Sequence, residues 1–96
     1  MTVSLSGTLE DYLGVIFRLQ QEKRFARVRD IAEEAHVAKS AVTSALKALS
    51  GKGLINYTPY EPVTLSPEGN EEAERILVRR RILEDFLRDV LGLEAD

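Results

Sequence analysis

Ninety-six residues make one domain with a modest hydrophobic core. With no cysteine and one histidine the chain offers neither a disulfide framework nor a thiolate or histidine-rich metal cluster, and its formal net charge of −3 is unusual for a nucleic-acid binder. No apolar run approaches the roughly 20 residues that span a bilayer, and Met1-Thr2-Val3-Ser4-Leu5 is too short for a signal peptide, so the cytoplasm is the expected location.

A first helix is predicted from about Thr8 to Glu22. Thr8-Leu9-Glu10-Asp11 reads as a capping box with Asp in the Glu position, and acids early in the helix complement its dipole. Leu9, Tyr12, Leu13, Ile16 and Leu19 form an apolar stripe with Val15 and Phe17 on its margins. Glu22 to Phe25 ends this helix, and Ala26-Arg27-Val28 reads as an extended link to a second helix from about Arg29 to His36. Its inward positions are Ile31, Ala32 and Ala35.

The next helix is predicted over Val37 to Leu49, with Val42, Ala45, Leu46 and Leu49 recurring on one face. Lys39, Ser40, Thr43, Ser44 and Lys47 share the other face, a thin surface of short hydrogen-bonding side chains and two cations that fits a DNA major groove. An Ala/Ser/Lys-rich helix is also common as plain solvated surface, so its neighbours decide. The spacing of Ile31, Ala32, Ala35, Val37, Val42 and Leu46 is that of a helix-turn-helix, although His36 replaces the usual turn glycine and Ala38 stands where a capping side chain is expected.

Gly51-Lys52-Gly53 closes that helix. Leu54 to Thr58 then reads as a strand, Pro59-Tyr60-Glu61-Pro62 as a turn and Val63 to Leu65 as a returning strand, which together make a wing. Ser66 as N-cap and Pro67 at the first helical position start a last helix that runs to Leu91, with Gly92 as its stop. At 1.5 Å per residue this helix is about 37 Å long, more than one winged domain needs. Ala73, Ile76, Leu77, Leu83, Leu87, Val90 and Leu91 lie on one stripe, while Val78, Ile82 and Phe86 lie nearly opposite as a candidate dimer contact. The expected fold is mainly α with a small β-hairpin: a winged helix-turn-helix over residues 1–66, and a long C-terminal helix over residues 67–96 in the same domain.

Charge is segregated along the chain. From Lys23 to Gly53 seven basic residues face three acidic ones, Asp30, Glu33 and Glu34, a local balance of +4. No enzyme constellation emerges, since no Gly-rich phosphate loop follows a strand and the pairs Glu33-Glu34 and Glu71-Glu72 read as solvated helix surface. The expected activity is binding to double-stranded DNA through Arg27, Lys39, Ser40, Ala41, Thr43, Ser44, Lys47, Lys52, Tyr57 and Tyr60, with a weak wing because Glu61 sets an anion beside the phosphates. The competing reading is a winged helix used as a protein-interaction module, favoured by Glu61 and the negative net charge.

In chain order, Glu10-Asp11-Tyr12-Leu13, Val28-Arg29-Asp30-Ile31-Ala32, Ser40-Ala41-Val42-Thr43, Lys52-Gly53-Leu54-Ile55, Tyr60, Leu65-Ser66-Pro67-Glu68-Gly69 and Leu83-Glu84-Asp85-Phe86-Leu87 resemble the N-terminal half of the diphtheria-toxin-repressor and manganese-transport-regulator family. The resemblance implies a homodimeric transcriptional repressor that binds a palindromic operator when loaded with Fe(II) or Mn(II). It also implies metal ligands at Asp11 and position 14 on the first helix and at positions 80 and 84 on the last. Here those positions hold Asp11, Gly14, Arg80 and Glu84. Glycine has no ligand atom and arginine stays protonated, so only Asp11 and Glu84 remain as candidate metal ligands. Two readings stand side by side: Arg80 pairs with Glu84, and with Asp11, in place of the cation, making DNA binding independent of metal, or Arg80 and Glu84 form an ordinary i, i+4 surface ion pair.

Overall fold

The computed structural model describes residues 7–23 and 26–91, with the side chains of 85–91 left aside. The element order is α1 (Gly7–Lys23), α2 (Val28–Ala35), α3 (Lys39–Gly51), β1 (Ile55–Asn56), β2 (Thr64–Leu65) and α4 (Pro67–Leu91). Helix-turn-helix, wing and long last helix therefore follow in the predicted order. No described helix is long and apolar enough to cross a membrane.

Helix α1 is the central shaft, packing against α2, α3, α4 and β2. Its stripe explains why: Tyr12, Leu13, Ile16 and Leu19 are buried, and Leu9, Val15 and Phe17 pack at the core margin. Ile31 from α2, Val42, Leu46 and Leu49 from α3, Leu54 and Val63 from the wing, and Ile76 from α4 complete the core. Each such aliphatic side chain contributes about 1.5–3 kcal/mol by leaving water. No buried side-chain polar atom among the described residues lacks a hydrogen-bond partner.

The wing is short. Ile55 pairs with Leu65 and Asn56 with Thr64 in an antiparallel register, so neither strand reaches the predicted length. An isolated bridge extends the pairing instead, because Ala26 exchanges both backbone hydrogen bonds with Val63, at 3.2 and 2.6 Å. A side chain pins it from the other side: the Leu65 amide donates to Gln20 Oε1 of α1 at 3.0 Å. Ser66 acts as the predicted N-cap of α4, accepting from the Gly69 amide at 3.0 Å while its hydroxyl donates to the Gly53 carbonyl at 2.6 Å.

Several local expectations are corrected. Thr8 lies inside α1 rather than capping it, and Asp11 turns toward α4 instead of back to the helix start, where its carboxylate accepts from Arg80. Val28 is already helical and Arg27 is the extended N-cap of α2. Helix α3 starts at Lys39 and runs on to Gly51, with Lys52 as C-cap, so it is Gly53, at φ 74°, that takes the left-handed conformation. On α4 the predicted inward stripe stops early. Ala73 and Ile76 are fully buried, but Leu77 is 37% and Leu83 56% exposed, because α4 runs past the end of the core. Phe86, Leu87, Val90 and Leu91 fall outside the described side chains, and Gly92 outside the described residues.

Candidate nucleic-acid interface

The turn between α2 and α3 is closed by backbone geometry. His36 adopts the left-handed conformation at φ 58°, the role a glycine usually fills. The His36 amide reaches the Glu33 carbonyl and that of Val37 the Ala32 carbonyl, satisfying the end of α2. The start of α3 is different: Ala38 has no side chain with which to cap, and no side-chain cap is made. The first amides of α3, with the positive end of the helix dipole, therefore face outward beside Lys39.

Burial of Val42, Ala45, Leu46 and Leu49 fixes which face of α3 remains outside. Lys39, Ser40, Ala41, Ser44 and Lys47 are exposed there, and Thr43 is half-buried. The Thr43 hydroxyl donates to the Lys39 carbonyl one turn back, at 3.1 Å, which leaves its oxygen as an acceptor toward solvent. Lys39, Lys47 and Lys52 make no ion pair among the described residues, whereas Arg18, Lys23, Arg75, Arg79 and Arg80 are each paired with a carboxylate. These three lysines on the predicted DNA-facing side are thus available, and most of the described cations elsewhere are engaged.

A cleft of about 510 Å3 lies where the start of α3 meets the wing, lined by Arg27, Val28, Lys39, Thr43, Tyr57, Pro59, Tyr60 and Glu61. Five of the ten predicted DNA-binding residues, Arg27, Lys39, Thr43, Tyr57 and Tyr60, come together in it. Ser40, Ala41, Ser44 and Lys47 continue along the exposed face of α3, while Lys52 sits at its far end as the C-cap. Tyr60 stands at the wing tip at φ 69° with its ring fully exposed; a positive φ at a bulky non-glycine residue is strained. Glu61 lines the same cleft, as the sequence warned.

The seam between α1 and α4 holds the second set of sequence-selected residues. Arg80 Nη2 lies 2.7 Å from Asp11 Oδ1 and 3.8 Å from Glu10 Oε1, and Arg79 Nη2 lies 2.9 Å from Glu10 Oε2. The predicted Arg80–Glu84 pair is absent: Glu84 is exposed, one turn further out, and the α1 carboxylates take the guanidinium instead. Asp11, Gly14 and Arg80 line a cleft of about 470 Å3 with Leu77, and Glu84 is not part of its wall. No group of three or more His, Cys, Asp or Glu side chains that could hold a metal occurs among the described residues. This donor set does not fit a divalent cation. Arg79, Glu10 and Gln20 were not selected from sequence; the run Arg79-Arg80-Arg81 opposite the adjacent acids Glu10-Asp11 was the available signal for the first two.

Residues 4–63 match the family described as iron dependent repressor, N-terminal DNA binding domain. The chain belongs to this family. It is 37% identical over 87 residues to the HTH-type transcriptional regulator MntR of Shouchella clausii, covering 91% of this chain and 60% of that protein. An HTH-type transcriptional regulator of Methanocaldococcus jannaschii is 35% identical over 91 residues, covering 94% of this chain and 73% of that protein. Among solved structures, the metal-dependent transcriptional regulator MtsR superposes with a TM-score of 0.81 at 26% identity, over 90% of this chain and 40% of that one. This iron-dependent-repressor domain therefore spans about 60% of the length of its MntR relative.

Proposed function

We propose that the chain is the DNA-binding part of a transcriptional repressor, with α3 in the major groove of double-stranded DNA and the wing alongside. The observation that carries this reading is the meeting of Arg27, Lys39, Thr43, Tyr57 and Tyr60 in one cleft beside the uncapped start of α3. Lys39, Lys47 and Lys52 contact phosphates, and Ser40, Thr43 and Ser44 face base edges, with Ala41 against thymine methyls. Short side chains give modest direct readout, so groove shape and backbone contacts supply a large share of specificity.

One winged domain makes few contacts, and a homodimer on a palindromic operator would double them. Val78 and Ile82, 57% and 64% exposed on the outer face of α4, are the residues available for that contact. Phe86, the third residue of the set, lies outside the described side chains. No enzymatic activity is proposed, and the cytoplasm is the compartment where such a repressor acts.

Fluorescence anisotropy on random duplex DNA over a range of salt concentrations tests the reading. Phosphate contacts predict that log K falls with log salt at a slope of about −0.9 per phosphate neutralised, so a slope of several is expected. The second reading, a protein-interaction module, is favoured by Glu61 in the cleft wall, and it predicts almost no binding at any salt concentration. Selection from a random DNA pool then gives the operator, and half-sites about one helical turn apart would support the dimer.

A further inference from the structure

Relatives of this chain include a regulator described as metal-dependent, yet the seam at which α4 meets the shaft of the domain carries no metal donor set among the described residues. We infer that Arg79 and Arg80, gripping Glu10 and Asp11, form a built-in cationic clamp that holds α4 against α1, so that DNA binding by this chain needs no divalent cation. The inference rests on the DNA-binding reading above and adds its mode of control.

The geometry supplies three arguments. First, the carboxylates are occupied. Asp11 accepts from Arg80 at 2.7 Å and Glu10 from Arg79 at 2.9 Å, and Arg80 leans to Glu10 at 3.8 Å, so two cations and two anions alternate across the seam. A guanidinium does not lose its proton in proteins, so this positive charge is permanent, where a bound ion would depend on its free concentration. A divalent ion that took Asp11 as a ligand would have to displace the Arg80 guanidinium.

Second, position 14 supplies no donor beside Asp11. Gly14, one turn after Asp11, lines the cleft beside Arg80, and a methyl group there would meet only Leu77 Cδ2, at 3.9 Å. There is room at position 14 for a ligating side chain, and glycine supplies none. Third, the clamp acts on the element that carries the DNA-facing face. Leu13 and Ile16 of α1 are fully buried in the core shared with Val42 and Leu46 of α3, so what fixes α4 to α1 fixes it relative to α3. Arg80 is thus a positioning residue that acts through α1.

The clamp is partly open to solvent, the Arg80 and Asp11 side chains being 40% and 66% exposed, so salt screens it and charge removal is tolerated by the fold. The test uses the whole 96-residue chain in two arms. In the first, Mn(II) is titrated into the protein alone and its free-ion electron paramagnetic resonance signal is followed. The wild-type chain leaves the signal intact, and Arg80→Glu, which sets a third carboxylate beside Glu10 and Asp11, attenuates it. In the second, anisotropy on duplex DNA is compared in EDTA and in excess Mn(II), with melting curves confirming that each variant is folded. Wild-type affinity agrees within about twofold in the two conditions, Arg80→Gln weakens it by about three- to fivefold, and Arg80→Lys restores part of the loss, as expected for a partly exposed charge pair. Attenuation of the signal by the wild-type chain, a rise in its affinity of about tenfold or more with Mn(II), or an Arg80→Gln variant that binds like wild type would each overturn the clamp. Absence of DNA binding in both conditions would overturn the DNA-binding reading instead, and the titration of the protein alone would still decide whether the seam takes a cation.

Discussion

A methyl group added at Gly69 would lie 1.7 Å from the carbonyl oxygen of Leu54. The first turn of α4 therefore rests directly on the backbone where the wing leaves α3, and no larger residue fits without moving one of them. Gly69→Ala is expected to destabilise the fold by about 3 kcal/mol or more, at the upper end for overpacking, because the obstacle is backbone. Thermal unfolding reads this directly, and a melting temperature equal to wild type would refute the close approach.

Ser66 ties the same junction with one oxygen, bonding both Gly53 and Gly69. Ser66→Ala removes a helix cap and leaves the Gly53 carbonyl without this donor, so a loss of about 1–2 kcal/mol is expected. Ser66→Thr keeps the hydroxyl and should lose less. Urea unfolding of the two variants separates them.

His36 holds the tight turn in a conformation that costs a non-glycine residue free energy. His36→Gly relieves that strain while adding freedom to the unfolded chain, so the net effect expected is a stabilisation of a few tenths to about 1 kcal/mol, whereas His36→Val should destabilise by more. The order Gly above His above Val in melting temperature checks the geometry of the turn.

On the DNA side, Lys39→Ala should lower affinity for all duplexes alike and reduce the salt slope by about one, the signature of a phosphate contact. Glu61→Gln should act in the opposite direction, strengthening binding at low salt, because Glu61 lines the same cleft as Lys39 and Arg27. Anisotropy titrations with one random duplex measure both. Unchanged affinity for Glu61→Gln would place the wing tip away from the phosphates.

Much of this was legible in the sequence because periodicity and chain punctuation are local. The stripe through Leu13 and Ile16, the inward face of α3 and the Ser66-Pro67 start of α4 were all readable, and so were both ends of α4. The convergence of Arg27, Lys39, Thr43, Tyr57 and Tyr60 on one cleft follows from the same order of elements, since helix-turn-helix and wing fix which faces meet. What could not be read was long-range choice. Asp11 had a local use as a capping acid and a distant one with Arg80, 69 residues away, and only packing decides that Arg80 takes Asp11 and not the nearer Glu84 as well. The same holds for Leu83, whose helical phase is correct but whose helix has left the core by that point. Gln20 carries no sequence signal at all, because its partner is a backbone amide.

That last contact has a consequence for how this domain can diversify. Gln20 grips the main chain of Leu65, and Ala26 grips the main chain of Val63, so the mounting of the wing does not depend on which side chains the loop at its end displays. Residues 58–62, beyond Tyr57, which packs at the core margin, can be exchanged, lengthened or recharged while the hairpin stays seated on α1. On the proposed reading, preference among DNA sequences can thus drift at the tip of the hairpin without disturbing the contacts that position it.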